Sequence, residues 1–273
     1  MRRQEKPIEA YSSHRVEASA GRTGHHHVKP GGTTVSEAVT KALRADLEGH
    51  IDLAYRSRIR DHFNMDVSTF LGVRIPVVRK IAAAHFHDVR DRSIEDILDL
   101  CEDLLTAGTY EYKVIAFDWS YRCRRRLAPE HFGVLHRWLA HYVNDWTDCD
   151  DFCTHTLGAF LVDHPSFLEK VKPWTASPNR WMRRASAVCL IYGLRRGKHL
   201  EPAFEVARAL FQDEDDLVHK GCGWMLKDAS KRYPDEVFDF VMAWRTSMPR
   251  TTLRTAVKLL DEDRKRTALS MPA

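Results

Sequence analysis

The sequence contains no stretch approaching about 18 consecutive apolar residues, so it encodes no membrane span. Its start, Met1-Arg2-Arg3-Gln4-Glu5-Lys6, lacks the apolar run of a secretory signal. The cysteines (Cys101, Cys123, Cys149, Cys153, Cys189 and Cys222) form no CxxC pair, and no ligand set has zinc spacing. They read as buried thiols of a reducing, cytoplasmic compartment, and neither metal nor cofactor is expected. Alternating β-branched strand patterns are also missing; the nearest, Val73–Val78, is broken by Pro76. Charge of one sign is scarce: 42 Lys and Arg face 38 Asp and Glu, for a net +4. A sum that small says little about an anionic partner; the placement of the charge says more.

What is present is helical periodicity behind a polar arm. Residues 1–33 are rich in Ser, Gly, His and Arg, and are expected to be a disordered basic arm. The arm's histidines, His25-His26-His27, could hold a metal only weakly. From residue 34 onward a single helical-repeat domain is expected to run to 273. Candidate helices begin at 36–48, capped by Thr33, Thr34 or Ser36, include 145–161 and 178–193, and end at 248–260. So many short helices with brief Pro-, Gly- or Asp-bearing links suit stacked antiparallel pairs better than one bundle. The expected fold is an all-α, right-handed α-solenoid of degenerate HEAT-like pairs, with a concave face for an extended ligand.

Charge and aromatic groups gather in four places. Arg180, Arg183 and Arg184 share a helix face in its first turns, where the dipole disfavours cations; an external anion would justify them, the alternative being a solvated face. Phosphate is the anion that suits arginine forks. Arg122, Arg124, Arg125 and Arg126 sit at a helix end that suits cations, and a solvated face explains them as well. Asn144-Asp145-Trp146-Thr147-Asp148-Cys149-Asp150-Asp151 offers a cap and places Trp146 and Asp150 on one face. A ring beside a carboxylate suits a ligand that carries or develops positive charge. Finally, Gly221 and Gly223 flank Cys222 before Trp224 in one helix, at about 1 kcal/mol each relative to alanine. A closely approaching helix or ligand would explain them.

These segments resemble the HEAT-repeat DNA alkylation repair family, the AlkD-like DNA glycosylases. Asp145-Trp146-Thr147-Asp148-Cys149-Asp150 is similar to its tryptophan-to-aspartate motif, and Asn179-Arg180-Trp181-Met182-Arg183-Arg184-Ala185 to its arginine motif. Lys220–Lys227 resembles its later tryptophan helix. Phe70–Pro76, Glu111–Trp119 and Arg254–Lys258 are further matches, in the family's order. The long arm and Asp145, where the family often has another aromatic, depart from it.

The resemblance implies hydrolysis of the N-glycosidic bond of cationic N3- and N7-alkylated purines in double-stranded DNA, by a monofunctional glycosylase. It implies catalytic roles for Asp150, Trp146 and Arg184, and DNA contacts from Trp224, Arg183, Arg180, Lys220, Arg254 and Lys227. Asp150 would stabilise the cationic sugar and hold water; Arg184 would grip a phosphate. A monomer, nucleoid-associated when bound to DNA, is expected, since no dimerisation element is evident. The alternative is a non-catalytic HEAT-like scaffold binding structured nucleic acid or an acidic protein.

Overall fold

The structure, a computed structural model, describes residues 35–63 and 69–270. The basic arm, its histidines and the proposed Thr33 and Thr34 caps lie outside the described residues. All regular structure among the described residues is helical. In chain order the helices are α1 (Val35–Glu48), α2 (Leu53–Phe63), α3 (Ile75–Val89), α4 (Ile94–Thr106), α5 (Tyr110–Arg122), α6 (Phe132–His141), α7 (Trp146–Phe152) and α8 (Gly158–Asp163). They continue with α9 (Leu168–Val171), α10 (Arg180–Val188), α11 (Ile191–Leu194), α12 (Leu200–Leu210), α13 (Asp216–Ala229), α14 (Pro234–Trp244), α15 (Arg250–Ala256) and α16 (Glu262–Leu269). None of them is long and apolar enough to cross a membrane.

Polar caps define several starts. Ser93, Asp145, Asn179, Asp215 and Asp261 each accept a backbone N–H from the first turn of the helix that follows. Pro76 and Pro234 occupy first-turn positions of α3 and α14, where a missing N–H costs nothing.

Alternate helices form a continuous row. α3 packs on α5, α5 on α7, α7 on α10, α10 on α13 and α13 on α15. The intervening helices cover this row; α4 lies on α5 and α12 on α13. Each pair thereby buries an apolar stripe it could not bury alone. The core runs along the row, with Trp119, Trp138, Phe117, Phe152 and Phe160 fully buried. The Trp119 Nε1–H donates to the Ala82 carbonyl at 2.8 Å, which ties α5 to α3.

Three buried charges fix the front of the row. Glu111, with no exposed surface, accepts the backbone N–H groups of Leu71, Gly72 and Val73 at 2.9–3.0 Å. Gly72 has φ +101°, and a Cβ there would meet the Arg56 side chain at 2.9 Å. Lys113 donates to Asp148 and to the Asn144 side-chain oxygen, both at 2.8 Å, which clamps the start of α7 to α5.

Three details differ from the sequence expectations. The helix expected at 145–161 runs on to Asp163 but carries a π turn at Cys153–Leu157. The helix expected at 178–193 breaks at Cys189-Leu190 into α10 and α11. A further helix, α16, follows residue 260. It buries little beyond Ala268, so it has no apolar period to read.

A cleft between α3, α5 and α7

An open cleft of about 280 Å³ lies where α3, α5 and α7 meet. Ile75 and Arg79 from α3, and Tyr110, Val114 and Phe117 from α5, form its walls. Trp146, Asp150, Asp151, Thr154 and His155 line it from α7 and the π turn. The spacing argument for Trp146 and Asp150 is realised here, since both reach the same space. Trp146 is 42% exposed, unusual for a ring of its size in this fold. The π turn matters to the geometry. It gives the chain an extra residue just after Asp150, and the Thr154 hydroxyl donates to the Asp150 carbonyl at 2.7 Å.

Asp150 is held from behind by Arg184. The Arg184 Nε–H and one Nη–H donate to its two carboxylate oxygens, each at 2.9 Å. The other Nη donates to the Leu217 carbonyl. Arg184 is only 5% exposed, so its donors are spent inside the protein. Gly221 makes room for it, because a Cβ there would press on the Arg184 side chain at 3.1–3.2 Å. Gly223 serves a different contact, the approach of α15, where a Cβ would meet Thr255 at 2.7 Å. The two costly glycines are thus explained by an arginine and by a neighbouring helix.

The next two arginines of that cluster are also paired. Arg183 donates to Asp213 at 2.6 Å, and Arg180 reaches Asp215 at 2.6 Å. Both acids sit in the turn before α13, and Asp215 caps that helix. The anion that three arginines at a helix start called for is therefore internal in this structure: Asp150, Asp213 and Asp215.

Adjacent carboxylates in the cleft are pushed in opposite directions. Burial raises the Asp150 carboxyl above its ordinary range; Arg184 only partly offsets this, and the charges of Asp145 and Asp151 add to it. Asp151 is also buried, but hydrogen bonding by His155 and the charge of Arg79 outweigh that and hold its carboxyl below the usual range. Arg79 donates to Asp151 at 2.8 Å. The His155 ring nitrogen Nδ1 lies 2.8 Å from the Asp151 carbonyl, which can only accept, so Nδ1 carries the proton. Asp151 raises the histidine's pKa in return. Burial pushes the Tyr110 hydroxyl to about 12. Pairs of titratable groups driven apart by their surroundings are a feature of catalytic sites.

The other sequence candidates lie elsewhere. Trp224 is half-buried against the core and does not line the cleft. Lys220 pairs with Asp216 on the surface of α13. Arg254 on α15 is exposed and Lys227 on α13 is half-buried; neither has a carboxylate partner among the described residues. Arg79, Tyr110 and His155 were not picked out from sequence. His155 stands four residues after Asp151, which is the one local signal it offers. Among the described residues no cluster of three or more His, Cys, Asp or Glu side chains is arranged to hold a metal ion.

Solved structures share this fold. A predicted DNA alkylation repair enzyme from Enterococcus faecalis superposes with a TM-score of 0.68 at 15% identity, over 78% of this chain and 98% of that one. AlkD2 from Streptococcus mutans gives 0.53 at 19% identity, over 77% and 99%. The protein smu.31 from Streptococcus mutans gives 0.52 at 19% identity, over 76% and 98%. At these identities the likeness defines the class of fold: an AlkD-like repeat of α-helices. No curated protein matches in sequence. The sequence profile of the DNA alkylation repair enzyme family, however, matches residues 43–260. The chain belongs to that family.

Proposed function

We propose that the protein is a monofunctional DNA glycosylase that hydrolyses the N-glycosidic bond of cationic N3- and N7-alkylpurines in duplex DNA. The observation that carries this reading is a carboxylate, Asp150, gripped from behind by Arg184 and open in front to a cleft beneath an exposed tryptophan. A groove built only to bind phosphate gains nothing from a central carboxylate, which repels the backbone. That separates the reading from a passive nucleic-acid scaffold.

The chemistry asks little of the enzyme. An alkylated purine bearing positive charge is already a good leaving group. As the C1′–N bond breaks, its electron pair leaves with the base, which departs neutral, and positive charge develops on the deoxyribose. Asp150 stabilises that charge and accepts a hydrogen bond from the water that attacks C1′. The water's proton passes to the carboxylate or to solvent. The Trp146 ring face offers further stabilisation to a cationic sugar. Arg184 acts through Asp150: with its donors on Asp150 and Leu217, it is a positioning residue before it is a phosphate contact. Because the Asp150 carboxyl is raised, activity should fail on the acid side at a higher pH than an ordinary aspartate would give.

The test is release of free 7-methylguanine and 3-methyladenine from methylated duplex DNA. Wild-type protein should release them, and Asp150→Asn should slow release by about 10²–10³ while duplex binding persists. Equal rates would remove Asp150 from the mechanism. Duplex binding without base release by the wild type would favour the scaffold.

A further inference from the structure

Two arginines at the ends of α5 and α11 are held differently from their neighbours Arg122 and Arg195, which pair with Asp118 and Asp228. Arg124 follows α5 and Arg196 follows α11. The Arg124 guanidinium lies 4.5 Å from the ring centre of Tyr121 and donates to the Tyr121 carbonyl. Arg196 repeats the arrangement on Tyr192, at 3.4 Å, and donates to the Tyr192 carbonyl. The tyrosines meet edge to face at 6.2 Å. No carboxylate pairs with either arginine among the described residues. In the same body Arg79, Arg122, Arg137, Arg180, Arg183 and Arg184 all have one.

The cluster adjoins the cleft. The His155 ring, which lines it, touches Tyr121 at 5.1 Å between centres. Gly158, just past the π turn, seats Tyr192; a Cβ there would lie 2.6 Å from the Tyr192 Cβ. A helix C-terminus accounts for a cation at each place. It does not account for a planar cation stacked on a ring, tied to a carbonyl and left without an anion. Stacking and one hydrogen bond fix each guanidinium, and its remaining N–H groups stay unspent. Fixed, unpaired forks of this kind bind phosphate at small entropic cost.

We infer that Arg124 and Arg196, each backed by its tyrosine, form a phosphate clamp that holds the backbone of duplex DNA beside the cleft. The inference rests on the reading of the cleft as a DNA-processing site. Phosphate contacts position a duplex and carry no lesion information. The clamp should therefore strengthen binding of methylated and undamaged duplex alike.

The experiment compares the full-length protein with Arg124→Gln/Arg196→Gln by fluorescence anisotropy on a short undamaged duplex across a salt series. Each phosphate contact contributes about 0.9 to the slope of log affinity against log salt, so the double variant should lose about 1.8. Each single substitution should lose about half of that, which covers the case in which the double variant folds poorly. Arg124→Lys/Arg196→Lys should restore most of the slope, since charge sets it. Arg208→Gln/Arg266→Gln removes the same net charge from α12 and α16 and should leave the slope unchanged. An unaltered slope in the double variant, or an equal loss in the control pair, overturns the clamp. So does a slope that falls for an RNA hairpin but not for the duplex. Base release by the wild type is measured in parallel. If release occurs and the slope does not move, the clamp alone fails; if the wild type neither binds duplex nor releases base, the reading of the cleft fails with it.

Discussion

Two sets of arginines do opposite things in this molecule. At the start of α10, Arg180, Arg183 and Arg184 stand where the helix dipole disfavours them, and each is neutralised by an aspartate from a neighbouring helix or turn. At the ends of α5 and α11, Arg124 and Arg196 stand where the dipole favours them, and rings rather than carboxylates hold them. The first cluster is spent on internal assembly and on orienting Asp150. The second keeps its charge available. A count of basic residues ranks the α10 cluster as the better phosphate site; the ion pairing reverses that order.

The comparison breaks first at Arg184. Its pair with Asp150 is mostly buried, with side chains 6% and 17% exposed, the carboxylate keeping only its cleft side open. Arg184→Ala would leave a buried carboxylate without its partner and should destabilise the protein by about 3–5 kcal/mol, read by urea unfolding. Arg183→Ala, which strands an Asp213 side chain 6% exposed, should cost about 1–3 kcal/mol. Arg180→Ala, half in water, should cost under about 1 kcal/mol. Arg124→Gln and Arg196→Gln should each stay within about 0.5 kcal/mol. A flat series across all five would mean that the α10 arginines are no more structural than the others.

The helices were legible because their caps and apolar periods are local. Asp145, Asn179 and Asp215 announce α7, α10 and α13 within a few residues. The π turn after Asp150 and the break at Cys189-Leu190 were not legible, because neither contains a Pro and the one glycine beside them, Gly158, answers to tertiary contact with Tyr192 and the Cys189 carbonyl where α8 packs on α11. In the candidate site, Trp146 and Asp150 could be put on one face from their spacing. The partners of the arginines could not be read. Asp150 lies far from Arg184 in sequence, and the pairing exists only because α10 is inserted between α7 and α13. Arg79 and Tyr110 reach the cleft for the same reason, through the stacking of α3 on α5 and of α5 on α7.

A small, pH-dependent effect sharpens the contrast between the cleft's neighbouring acids. His155 has a raised pKa in the folded protein because Asp151 holds its proton. Its contribution to stability is then complete below the ordinary histidine value and disappears as pH rises through the raised one. Asp151, lowered by the same contact and by Arg79, contributes above the ordinary aspartate value and loses that contribution as pH falls. Asp150 has the sign of the histidine: its raised carboxyl disfavours folding once ionised, so its cost grows as pH rises through that value. His155→Gln should therefore destabilise most near pH 5.5–6, by under about 1 kcal/mol because the imidazole is 43% exposed, and hardly at all near pH 9. Urea unfolding of both proteins at the two pH values measures the difference. A penalty that persists undiminished at the higher pH would show that His155 acts through packing against Tyr121 and not through its proton. The oppositely shifted carboxylates would then have to be explained by burial and Arg79 alone.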